Sequence, residues 1–69
     1  MNIKEKLGRR IFELRSQKGY SQEKLALIAG IDRTYLPGIE KGIRNVSITT
    51  IEKLANALEI SIEELFKKF

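Results

Sequence analysis

This sequence predicts an all-α fold of five short helices. Capping residues recur ahead of apolar runs, apolar side chains fall at helical spacing, and no segment alternates with the period of a strand. With 69 residues and no linker, repeat or low-complexity tract, the chain is expected to form one compact domain over residues 1–69.

Taken in order, Asn2 with Glu5 reads as a capping box. The helix it opens has Ile3, Leu7, Ile11 and Leu14 at apolar positions, and Gly19 suits a left-handed closing residue. Ser21 is the expected cap of the second helix, Leu25, Ala26 and Ala29 its buried stripe, and Gly30 its end. Asp32 is the expected cap of the third, with Leu36 and Ile39 pointing inward and Gly42 stopping the run. Thr49 with Glu52 reads as a further capping box, followed by Ile51, Leu54, Ala55 and Leu58. Ser61 with Glu64 opens the last helix, which carries Leu65 and Phe66.

Composition narrows the function. The chain has no cysteine and no histidine, so it lacks a thiolate metal site, a disulfide framework and the usual general base near neutral pH. Its carboxylates lie at spacings typical of solvated helix faces and caps. No catalytic residue, metal, cofactor or small-molecule ligand is therefore expected. No apolar run approaches the roughly 20 residues that span a bilayer, and "MNIKEKLGRR" has no apolar signal core. A cytoplasmic protein is the simplest expectation. Net charge is +4, with six basic and two acidic groups in residues 1–20, but three and four in residues 46–69. A polyanion would meet the basic first two-thirds.

The segment "SQEKLALIAGIDRTYLPGIEKG" has the pattern of a helix-turn-helix. Two short helices flank a turn headed by Gly30, and small Ala26 sits where they would cross closely. Spacing alone also fits an αα-hairpin of any small bundle. From Arg15 to Leu58 the chain resembles the Cro/repressor-like helix-turn-helix family, and "DRTYLPGIEKGIRNVSI" closely resembles the controller proteins of restriction–modification systems. The resemblance implies a five-helix Cro/repressor-like domain whose second and third helices form the motif. It also implies a homodimer that binds a roughly palindromic operator in double-stranded DNA and regulates its own promoter and that of the endonuclease.

Carried over by position, the resemblance implies that Gln22 holds a phosphate at a helix N-terminus, where free N–H groups and the dipole favour anions. Arg33 and Thr34 would begin the recognition helix and face base edges, with Arg33 suited to guanine O6 and N7. Tyr35 would lie against sugar-phosphate or bases, and Arg44, Asn45 and Ser47 would contact backbone, with Arg44 in reach of the minor groove. Asn45 could instead make an Asx turn, and Ser47 could cap the next helix. Arg15 and Glu40 are assigned to a structural salt bridge between the first and third helices. Lys6, Arg9, Arg10 and Lys18 are read as solvated charge.

Pro37 and Gly38 conflict with a helix capped at Asp32, because an interior proline costs roughly 3 kcal/mol and glycine about 1. Either the helix starts later, with Thr34 as cap and Pro37 in its first turn, or it is kinked and held by its neighbours. Gly38 is expected to let the backbone approach DNA closely. Leu65, Phe66 and Phe69 are assigned to a dimer interface, the alternative being that Leu65 and Phe66 close the monomer core. A phage-type repressor, an antitoxin of a toxin–antitoxin pair, or a helical interaction module without DNA binding remain the other functional readings.

Overall fold

The computed structural model describes residues 1–67. Its five helices are α1 (Ile3–Gln17), α2 (Gln22–Ala29), α3 (Leu36–Glu40), α4 (Ile48–Ala57) and α5 (Ile62–Leu65). Local chemistry accounts for most of their ends. At α1 the Glu5 amide donates to Asn2 Oδ1 at 2.9 Å and the Asn2 amide to Glu5 Oε1 at 3.0 Å, a reciprocal box that satisfies two orphan donors. Gly19 adopts φ +72° after α1, and the Tyr20 amide reaches back to the Arg15 carbonyl at 3.0 Å, the bond of a Schellman closure. Ser21 and Ser61 cap α2 and α5 by accepting from the Lys24 and Glu64 amides.

Two starts differ from expectation. Helix α4 is capped by Ser47, which accepts from the Thr50 amide at 3.2 Å, so Thr49 lies inside the first turn and caps nothing. Neighbouring hydroxyl residues compete for one capping role, and Ser47 takes it because its backbone is extended while Thr49 is already helical. Helix α3 begins only at Leu36, with Tyr35 as its flanking residue and no side-chain cap. Asp32 instead closes a turn, accepting from the Thr34 amide at 2.9 Å and the Thr34 hydroxyl at 2.8 Å, while the Tyr35 amide bonds the Asp32 carbonyl. Pro37 thus falls in the first turn of α3, where its missing N–H would have had no intrahelical partner. The late start resolves the proline conflict, although neither Thr34 nor Asp32 is the cap.

The core draws on every helix. Ile11, Leu25, Leu36, Ile39, Leu54, Leu58 and Leu65 are each at most 2% exposed. Helix α1 packs chiefly against α3, α2 against α3 and α4, and α4 against α5. Gly8 makes the first of these contacts possible. A Cβ there would lie 2.3 Å from the Ile39 carbonyl oxygen and 2.6 Å from that of Glu40, so only glycine admits the α3 backbone at this distance.

Arg10 is not solvated charge. It is 8% exposed and donates from Nε to the Leu65 carbonyl at 3.1 Å and from Nη2 to the Glu64 carbonyl at 2.8 Å. A guanidinium thus satisfies the end of α5, where the helix dipole favours a cation. Leu65 accordingly has no surface left for a partner: it is fully buried, while Phe66 is half-buried against the same core. Phe69 lies outside the described residues. Among the apolar side chains that do face outward, Ile48 and Ile62 line one shallow depression with Thr49 and Glu52.

Candidate nucleic-acid interface

Helices α2 and α3 are joined by a turn whose geometry is set by Gly30 at φ +72° and by the Asp32 hydrogen bonds. These bonds, from the Thr34 N–H first and its hydroxyl second, hold the Asp32 carboxyl below its ordinary range. Arg33, Thr34 and Tyr35 all lie in this turn, just before α3 and not within it. A short, bonded turn presents them more rigidly than a frayed helix end would.

Beneath the turn sits an ion pair that ties α1 to α3. Arg15 Nε and Nη2 donate to the two Glu40 oxygens at 2.7 and 3.0 Å, and Nη1 donates to the Tyr20 carbonyl at 2.8 Å. The side chains are only 13% and 7% exposed. Hydrogen bonding to Glu40 raises the Arg15 pKa further above its already high value. Gln22 joins this cluster, its amide nitrogen donating to Glu40 Oε1 at 3.0 Å. That side chain is therefore committed inward.

Outward, the turn carries charge and an aromatic ring. Arg33 donates from Nη1 to Glu23 Oε2 in an ion pair exposed on both sides. The Arg44 guanidinium lies 5.0 Å from the centroid of the Tyr35 ring, a cation–π stack between the turn and the loop after α3. Gly38 lies beneath Arg44, where a Cβ would come within 2.9 Å of Arg44 Cγ. The space over Gly38 is thus filled by Arg44, which corrects the expectation that it was left open for DNA. Asn45 and Ser47 share a small cleft with Tyr35 and Arg44. Asn45 makes no side-chain hydrogen bond among the described residues, so the Asx turn considered for it does not form. Ser47 is engaged in capping α4, donating to the Thr50 hydroxyl as well.

The structure thus brings Tyr35, Gly38, Arg44, Asn45 and Ser47 together, and joins Arg33 to the first turn of α2. Gln22 stands apart, turned toward the buried pair. Sequence reading missed three residues. Glu23 and Gly8 were given no role, and Arg10 was read only as solvated charge. An acid near a helix N-terminus and a glycine inside an otherwise regular helix were the available signals.

Two helices joined by a tight turn, with exposed arginines and a tyrosine at that turn, define a helix-turn-helix DNA-binding domain. The Helix-turn-helix family model matches residues 11–65, and the chain belongs to that family. It is similar to the control protein C.MunI of Mycoplasma sp, 42% identical over 66 residues that cover 94% of this chain and 89% of the relative. The crystal structure of the restriction-modification controller protein C.AhdI from Aeromonas hydrophila matches with a TM-score of 0.87 and 55% identity, covering 90% of this chain and 94% of that one. The biofilm master regulator SinR in complex with DNA matches with a TM-score of 0.80 and 40% identity, covering 86% of this chain and 95% of that one. The chain is a DNA-binding transcription regulator. Among the described residues, no helix is long and apolar enough to cross a membrane.

Proposed function

We propose that this protein is the controller of a restriction–modification system, a cytoplasmic, non-enzymatic homodimer acting on its own promoter and that of the endonuclease. One observation carries the DNA-facing part: Arg33, Tyr35 and Arg44 stand exposed around one hydrogen-bonded turn, on a scaffold clamped by the Arg15–Glu40 pair. Similarity to C.MunI and C.AhdI supports the controller assignment.

In this reading the amides at the start of α2 take a phosphate, and α3 with its preceding turn enters the major groove. Arg33 and Thr34 face base edges, while Tyr35, Asn45 and Arg44, the last seated over Gly38, fit the sugar-phosphate backbone. Phosphate contacts position the protein and base contacts specify the sequence. The second copy docks on the face that carries Ile48 and Ile62, which are 78% and 39% exposed. Exposed apolar side chains grouped on two adjacent helices are suited to an isologous contact.

Selecting bound sequences from a random duplex pool tests this reading. The expected product is a near-palindrome with half-sites about 34 Å apart, one helical turn, bound by two protomers. Recovery of no consensus, or of a single asymmetric half-site bound by one protomer, contradicts it.

A further inference from the structure

We propose that Glu23 is a specificity-determining positioning residue, whose carboxylate keeps the Arg33 guanidinium off the phosphates and aims it at a base edge. This inference rests on the DNA-binding reading above.

Arg33 and Glu23 are 70% and 69% exposed, so the pair does not hold the fold together. Exposed pairs contribute little to stability because water screens them and two long side chains lose freedom. Both backbones are nevertheless fixed. Glu23 lies in the first turn of α2, anchored by the Ser21 cap, and Arg33 lies in the turn locked by Asp32 and Thr34. The carboxylate is also in an unfavourable place for a simple DNA-binding surface. The start of α2 offers its amides to phosphate, and an acid beside them repels that phosphate.

Pairing explains the placement. Glu23 offsets the charge of Arg33, and non-specific affinity depends on uncompensated cations that displace counterions. With Nη1 engaged by Glu23, the Nε and Nη2 donors of the same rigid fork remain for the O6 and N7 acceptors of a guanine. The pair therefore presents no net charge to any phosphate it passes, but a directed donor pair to one base. A lone arginine at the same position would bind wherever phosphate is near.

The test compares wild type with Glu23→Gln, which keeps the shape and removes the charge. Affinity is measured across a salt series for the selected operator duplex and for random-sequence duplex of equal length. Circular dichroism melting of the variant should match wild type, since both side chains are exposed. Released to phosphate, Arg33 should steepen the salt slope on random duplex by about 0.9 per protomer. The ratio of operator to random affinity should fall on the order of fivefold per protomer, the upper end for an exposed pair. The lost discrimination should fall at the base position that Arg33→Ala relaxes. Adding Glu23→Gln to Arg33→Ala should then change base preference no further.

An unchanged slope and ratio in Glu23→Gln overturns the proposal. So does a loss that persists in the Arg33→Ala background, because Glu23 would then read a base itself, for example a cytosine amino group. Failure of the DNA-binding reading would look different: wild type would prefer no duplex at all.

Discussion

Replacing Glu40 with alanine should destabilise the protein severely while leaving its base preferences alone. Glu40 accepts three hydrogen bonds, two from Arg15 and one from Gln22, and its side chain is 7% exposed. Removing it strands a guanidinium that is 13% exposed, with the Tyr20 carbonyl as its remaining hydrogen-bond partner among the described residues and the Phe12 ring 5.2 Å away. Breaking a buried pair from one side costs about 3–5 kcal/mol, and the surviving Tyr20 bond puts this case near 3. For a domain of this size each kcal/mol lowers Tm by about 4–8 °C, so the expected drop is on the order of 15 °C. Urea titration and thermal melting by circular dichroism measure it. A double-mutant cycle with Arg15→Met should recover part of the loss, because the stranded charge is then gone. A loss below about 1 kcal/mol would refute the reasoning, since that is what an exposed pair contributes. Altered base preference with unchanged stability would mean that Glu40 faces DNA.

Three further outcomes are expected. Arg33→Ala should cost about 1–3 kcal/mol on the preferred operator and relax one base position per half-site, checked by operator selection on the variant. Gly8→Ala should destabilise by about 2 kcal/mol, because overpacking of about 3 outweighs a helix-propensity gain of about 1; a neutral melt would contradict the close contact of α1 with α3. The Asp32 carboxyl is held low by Thr34 and that of Glu59 by Lys18, so both are more acidic folded than unfolded. Stability from groups of that sign is present above the ordinary carboxylate range and lost on acidification. Melting temperature should therefore be level from pH 7 to about 5 and fall below about 4, with a rise on acidification as the contrary result.

Helix ends were legible where the chemistry is local. Asn2 with Glu5, Ser21, Ser61 and the glycines at 19, 30 and 42 act within a few residues of their own positions, so spacing alone identifies them. The start of α3 was not legible, because Asp32 can cap a helix or close a turn with the same oxygen, and only packing selects between them. Arg10 was misjudged because its partners are carbonyls more than fifty residues away, which no side-chain pattern marks. The same distance problem hid the reason for Gly38, whose neighbour Arg44 comes from the following loop. Leu65 was assigned outward from the apolar character of the chain end, whereas Arg10 draws α5 onto the core. Resemblance supplied what periodicity did not, namely the pairing of Arg15 with Glu40.

The central claim is that the exposed turn before α3 reads duplex DNA. The direct measurement is the equilibrium affinity of the protein for its selected operator and for a scrambled duplex, each across a series of salt concentrations. The account predicts a steep linear fall of log K with log salt on both, in proportion to the phosphates contacted. It also predicts a preference for the operator of at least about a thousandfold near physiological salt. Affinity that stays flat with salt, or that is equal on the two duplexes, would contradict it.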